Sequence, residues 1–323
     1  MKGPLRPSER KNARIAGVLA LVMSLLLISG CAATPRLSPE DRQSLPSRTA
    51  VGDVPFHGQR DYQCGPASLA MVLEAAGREV GVDALIPQVF LPGREGSVQP
   101  EMLATVRRHG LIPFRLDTGF PGLLDELAAG RPVVVMQNLS LPAWPQWHYA
   151  VAIGYDLPAE ELVMHTGMTP ERRIDFARFD ATWARSERWA FVALPPGRLP
   201  VDEDVEAATR AITDFESAQG SAPALPAWQA LAQRHPDAAM VQFALGNARH
   251  ATGDALGAKR AFRAAVNADP ELAPAWLNLG IVAGRTGDTD TAHQALERAA
   301  ALPGPWQSRA REERRALTKE RDA

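Results

Sequence analysis

The 323-residue chain has two cysteines, Cys31 and Cys64, and no excess of either charge, with 35 Lys+Arg against 37 Asp+Glu. Two cysteines make no disulfide framework. Balanced charge gives no electrostatic reason to expect nucleic acid as the main partner. The sequence also lacks a His-Glu-x-x-His pair, paired cysteines, an acidic cation loop and a phosphate-cradling glycine loop. No metal and no other cofactor is therefore expected. What is present is ordinary globular sequence, 46% hydrophobic and 22% charged, and long enough for two modest domains.

The longest apolar run lies near the N-terminus. Lys2, Arg6, Arg10, Lys11 and Arg14 precede an apolar stretch from Ile15 to Ile28, which ends in Ser29-Gly30-Cys31. A basic start, an apolar middle and small residues at the end are the layout of a secretory signal, and the apolar stretch is short for a permanent span. Leu27-Ile28-Ser29-Gly30-Cys31 resembles a bacterial lipobox. That resemblance implies cleavage before Cys31 and a diacylglycerol thioether on its sulfur. Ala32 stands where inner-membrane retention uses aspartate, so the expectation is an outer-membrane lipoprotein facing the periplasm. An uncleaved N-terminal anchor is the alternative, and it too places the body outside the cytoplasm. Lipidation of Cys31 leaves Cys64 as the thiol of the mature chain, without an internal disulfide partner.

Residues 1–31 are thus read as signal peptide, and 32–51, punctuated by Pro35, Pro39 and Pro46, as a flexible tether. Residues 52–196 mix helix and strand patterns. Helices are predicted over 66–76, 100–109 and 122–129, and strands over 133–137, 149–153, 161–165 and 189–194. Helices first and an antiparallel sheet afterwards is an α+β order. Pro195-Pro196-Gly197 marks a boundary, and 203–308 is alanine-rich and helical.

That second region repeats. Leu245-Gly246 recurs as Leu279-Gly280, Gly253-Asp254 as Gly287-Asp288, Phe262 as Leu296 and Ala265 as Ala299, each at an offset of 34 residues. The period resembles the tetratricopeptide repeat, with units at 239–272 and 273–306 and a degenerate one before them, marked by Trp228, Leu231 and Pro236. Trp276 holds the first aromatic position of its unit, and Gln242 departs from it in the earlier one. Two clear units are few for a free-standing array, so support is expected from the first domain, from 205–215 or from a C-terminal helix. Residues 309–323 read as a charged, solvated tail.

Cys64 heads the helix beginning Gly65-Pro66, where the positive helix end lowers a thiol pKa. Gln59 is a side-chain amide within reach of the same loop, the kind of donor that stabilises an oxyanion. His148, at the entry of the 149–153 strand, is the best placed of the seven histidines to act as base.

The segment Gln59 to Leu73, with Tyr62-Gln63-Cys64-Gly65-Pro66-Ala67-Ser68, resembles the nucleophile segment of the papain-like double-glycine peptidases, which process bacteriocin leaders. Trp147 to Asp156 resembles their histidine strand, and Gly96 to Leu103 the loop and helix shaping the cleft, so the resemblance spans about 52–195. It implies Cys64 as nucleophile, His148 as general base and acid, and Gln59 as oxyanion side chain. The family places an aspartate at the end of the next strand. Here that stretch reads Leu162-Val163-Met164-His165-Thr166-Gly167, and the orienting role passes to His165, to Asp156, or to a backbone carbonyl or water.

The expected protein is an α+β papain-like cysteine peptidase domain followed by an all-α tetratricopeptide-repeat module. Its expected partners are a peptide or protein substrate in the cleft, a protein on the repeat groove and the membrane through its lipid. Two other readings stay open: a non-catalytic periplasmic adaptor on a vestigial peptidase fold, and a thiol-dependent acyl or peptidyl transferase.

Overall fold

The computed structural model describes residues 35, 37–59, 63–94, 96–117 and 119–321. The signal segment with Cys31 lies outside the described residues. The first region runs α1 (Pro39–Ser44), β1 (Arg48–Ala50), α2 (Cys64–Ala75), α3 (Val82–Val89), a short hairpin of β2 (Phe90–Leu91) and β3 (Gly96–Ser97), α4 (Gln99–Arg108), β4 (Ile112–Arg115) and α5 (Gly119–Ala128). It continues with β5 (Val133–Asn138), β6 (Trp147–Asp156), β7 (Glu161–Thr166), β8 (Thr169–Asp175), α6 (Phe176–Trp183) and β9 (Ala190–Leu194).

The main sheet has the order β4-β9-β5-β6-β7-β8. Every pairing in it is antiparallel. β1 pairs with β6 beyond the end of β5, Thr49 opposite Tyr155. The central strands are apolar without alternation because both faces are covered. Val134, Met136, Tyr149, Val151 and Phe191 pack toward α2, α3 and α4. Val133, Val135, Ala150, Ala152 and Val192 pack on the other face with α5, α6 and the first helices of the C-terminal region.

Helix α2 is buried at every position from Gly65 to Leu73, which suits its all-round apolar sequence. Pro66 sits in its first turn, and Gly77, at φ +76°, follows its end. Strand β8 escapes a reading by hydrophobicity. It is the polar sequence Thr169-Pro170-Glu171-Arg172-Arg173-Ile174-Asp175 on the sheet edge, where proline and charge are tolerated.

Residues 37–51, expected as part of a tether, are ordered instead. The Ser38 Oγ accepts the Asp41 N–H at 3.0 Å, and the Asp41 carboxylate accepts the Ser38 N–H at 2.9 Å. This capping box starts α1, and Leu37 and Leu45 on either side enter the core. Pro39 is a helix-start proline here, at a position where its missing N–H costs nothing.

After Leu194 the chain is pinned along the body rather than free. Arg131 donates to the Leu199 carbonyl at 2.8 Å, and the Val201 N–H donates to Glu126 at 2.6 Å. Helices α7 (Val205–Gln219), α8 (Ser221–Arg234), α9 (Ala239–Ala251), α10 (Ala255–Ala268), α11 (Ala273–Arg285), α12 (Thr289–Ala301) and α13 (Gln307–Arg321) then stack in sequence. Gly246 and Gly280 mark where paired helices touch: a Cβ there would stand 2.5 Å from Phe262 and 2.6 Å from Leu296. Asp254 and Asp288 cap the second helix of each pair.

The departure at Gln242 leaves the bond intact. Trp276 Nε1 donates to the Pro270 carbonyl at 2.9 Å, and Gln242 Nε2 donates to the equivalent Pro236 carbonyl at 3.1 Å. The array leans at both ends, as the low repeat number requires. Ile212 and Phe215 of α7 join the sheet core, and Arg107 pairs with Asp214 at 2.6 Å. The segment expected as a solvated tail is α13, whose Ala310 is buried beside Ala299 and Leu296. No helix among the described residues is long and apolar enough to cross a membrane.

Candidate active site

Cys64 is the first residue of α2, so its sulfur and the first free N–H groups of the helix share one place. Burial pushes the thiol pKa up, and backbone hydrogen bonds at Tyr149, Gly65 and Cys64 itself pull it back in part. Gly65 allows a close approach: a Cβ there would lie 2.2 Å from Ser97 Oγ. The β2–β3 hairpin thus seats directly against the head of the helix.

His148 is the second residue of β6, and its Nε2 lies 2.8 Å from Thr166 Oγ1 at the end of β7. Burial, and then the charge of Arg172, push its pKa down to about 4. At neutral pH imidazole and thiol are therefore both uncharged. Among the described residues, the ring's hydrogen bond goes to Thr166 and none joins it to the sulfur.

Gln59 is buried, and its Nε2 donates to the Tyr149 carbonyl at 3.2 Å and to Ser68 Oγ at 3.4 Å. Its Oε1 accepts the Gly167 N–H at 2.9 Å. Gln59, Cys64 and His148 line a single cleft of about 1200 Å³ together with Ser97, Gln99, Trp147, Gly167 and Arg185. The residues from Gly96 to Pro100 form part of its wall, in the place the sequence assigned to them. Of the aromatic segment between β5 and β6, Pro145, Gln146 and Trp147 line the cleft, whereas Leu141 and Trp144 face solvent. Buried Asn138 holds that loop by accepting the N–H groups of Ser140 and Gln146, each at 3.0 Å. Arg185 adds a donor to the Ser140 carbonyl at 2.8 Å.

His165, expected as the third member, is engaged elsewhere. The Glu171 N–H donates to its Nδ1 at 3.2 Å, which leaves the proton on Nε2 to donate to the Val54 carbonyl at 3.1 Å. Successive strand residues face opposite sides, so when His165 turns toward Phe56, Thr166 turns toward His148. Asp156 is at the far end of β6, paired with Arg48 at 2.9 Å. Thr166 and Gly167 escaped the sequence reading because it sought a carboxylate, and strand alternation at His165 was the signal that could have found them. Cys31 lies outside the described residues.

Residues 51–191 match the model of the Peptidase_C39 like family. Among solved structures, a C39-like peptidase from Bacillus anthracis matches at 18% identity and TM-score 0.39, covering 46% of this chain and 98% of its own. The type III secretion translocator chaperone SycD of Yersinia enterocolitica matches at 16% identity and TM-score 0.35, covering 37% of this chain and 86% of its own. The first tetratricopeptide-repeat unit of Spaghetti, bound to an HSP90 peptide, matches at 13% identity and TM-score 0.34, covering 37% and 94%. No curated protein matches in sequence. The family match is thus confined to residues 51–191, and the helices that follow carry the 34-residue repeat.

Proposed function

We propose that this chain is a cysteine peptidase in which Cys64 and His148 hydrolyse peptide bonds. The observation that carries the reading is a free thiol at the head of a buried helix, sharing one cleft with an imidazole and a side-chain amide. Because the resting thiol and imidazole are both neutral, the proton leaves in step with attack. His148 Nδ1, the ring nitrogen not bonded to Thr166, takes the thiol proton as Sγ bonds to the amide carbonyl carbon. The carbonyl π electrons move onto oxygen. The Cys64 N–H and Gln59 Nε2 receive that oxyanion, the amide by releasing its longer bond to Ser68. Collapse expels the amine, which takes the proton from His148. Water then attacks the thioester with His148 as base, releasing the acid and the thiol.

The same proposal places the protein on the periplasmic face of the bacterial outer membrane, tethered by lipid on Cys31. The helical region would hold a peptide or protein partner. A non-catalytic adaptor is the second reading, favoured by the missing carboxylate beside His148 and the neutral thiol.

Acylation by p-nitrophenyl acetate separates the two. The peptidase reading expects the acetyl group on Cys64 in the full chain, located by peptide mass, and a rate about 100-fold lower in His148→Ala. An adaptor leaves Cys64 unmodified, or modified at the same rate in both proteins.

A further inference from the structure

We propose that Thr166 is the positioning residue of the His148 imidazole, and that the turn it opens sets both the imidazole and Gln59 against the cleft. The inference rests on the peptidase reading above and names a part of its machinery that the sequence pattern does not supply.

The β7–β8 ladder shifts register between Met164 and Thr166, where Pro170 and Glu171 of β8 stand opposite the single residue His165 of β7. The bulge bends β8, with Glu171 at φ +49° and its N–H on His165 Nδ1 at 3.2 Å. β7 itself keeps its alternation, so His165 turns to the Val54 carbonyl while Thr166 Oγ1 lies 2.8 Å from His148 Nε2. Thr166 then pairs with Thr169 across a tight turn whose first residue, Gly167, has φ +58°. Both backbone polar groups of Gly167 go to one residue. Its N–H donates to Gln59 Oε1 at 2.9 Å, and its carbonyl accepts the Gln59 N–H at 2.9 Å. Consecutive residues of one turn therefore hold the base and the amide donor, and neither can shift without the other.

A hydroxyl in this place does half of what a carboxylate does. It accepts from Nε2–H, which frees Nδ1 to take the thiol proton, yet it carries no charge to stabilise an imidazolium. The groups around His148 do not make up that charge. Cys64 of α2 and Gln59 are neutral, Arg172 of β8 is a cation, and Arg185 and Glu187 after α6 line the cleft with opposite signs. The uncharged resting pair follows from this, and a base that is neutral at rest works through position.

The test is the rate of Cys64 acylation by p-nitrophenyl acetate in the full chain from pH 4 to 8, with thermal melting to confirm folding. Thr166→Val is expected to lower the rate about 100-fold, down to that of His148→Ala. Thr166→Ser should stay within a few-fold of wild type. Thr166→Asp should retain acylation and move the acidic limb of the profile up by about 1–3 pH units, because a carboxylate stabilises the imidazolium. A merely structural role for Thr166 would not move that limb. If Thr166→Val acylates like the wild type while His148→Ala is slow, the positioning role is wrong and the peptidase reading stands. If Thr166→Val does not fold, an unmoved limb in Thr166→Asp overturns the role. If His148→Ala acylates at the wild-type rate, the pair itself fails and the role of Thr166 with it.

Discussion

Replacing Gly65 by alanine perturbs the contact that seats the nucleophile. The added Cβ would stand 2.2 Å from Ser97 Oγ, 2.5 Å from Ser97 Cβ and 3.2 Å from Met102 Sδ. Restoring van der Waals spacing demands a shift of about 1 Å between the head of α2 and the β2–β3 hairpin. Overpacking of this size costs about 1–3 kcal/mol. Alanine offsets up to about 1 kcal/mol of that through its helix preference, leaving a net loss centred on about 1–2 kcal/mol. The expected fall in melting temperature is about 2–8 °C. Because the displaced residue adjoins Cys64, acylation should fall by up to about 100-fold, the cost of misplacing a reacting group by about 1 Å. Urea denaturation followed by tryptophan fluorescence, with acylation of Cys64 on the same samples, reads both effects. Ser97→Gly removes both clashing atoms, so the double variant should recover stability and rate, with a coupling energy of about 1 kcal/mol or more. A Gly65→Ala protein as stable and as reactive as wild type would refute the reasoning, as would a double variant that recovers neither.

Two further outcomes follow from individual contacts. The pKa of His148 is lowered from 6.5 to about 4, so below pH 6.5 the unfolded chain binds a proton that the folded chain refuses. Stability should therefore fall as pH drops from 6.5 to 4, by up to about 3 kcal/mol from this group, and His148→Gln should flatten that part of the urea-midpoint profile. In the helical region, Gln242→Ala removes the donor to the Pro236 carbonyl and should cost about 1 kcal/mol in thermal unfolding. Gln242→Trp, which reproduces the Trp276 bond to Pro270, should recover most of it.

Much of this architecture is legible in the sequence, for physical reasons that differ from place to place. The strands over 133–137 and 149–153 announce themselves because a sheet covered on both faces needs unbroken apolar runs. The repeats do so because Gly246 and Gly280 must admit Phe262 and Leu296. Residues 37–51 were obscured because a proline that opens a helix and a proline that breaks a linker look alike without the Ser38–Asp41 capping box. Gln242 reads as a lost aromatic although it keeps the hydrogen bond. In the site, Gln59, Cys64 and His148 were found through helix and strand positions, and the structure gathers them in one cleft. Thr166 was hidden because a carboxylate was sought at this strand end, whereas the alternation of β7 turns His165 away and leaves the neighbouring hydroxyl facing His148.

The central claim is that Cys64 cleaves peptide bonds with water as acceptor. Incubating the full chain with a diverse peptide pool in ¹⁸O-enriched water, beside Cys64→Ala, tests it most directly by mass spectrometry of the products. The account expects new C-termini carrying ¹⁸O in the wild-type digest and none with Cys64→Ala. Identical peptide profiles from the two proteins, or joined peptides without ¹⁸O incorporation, would contradict it.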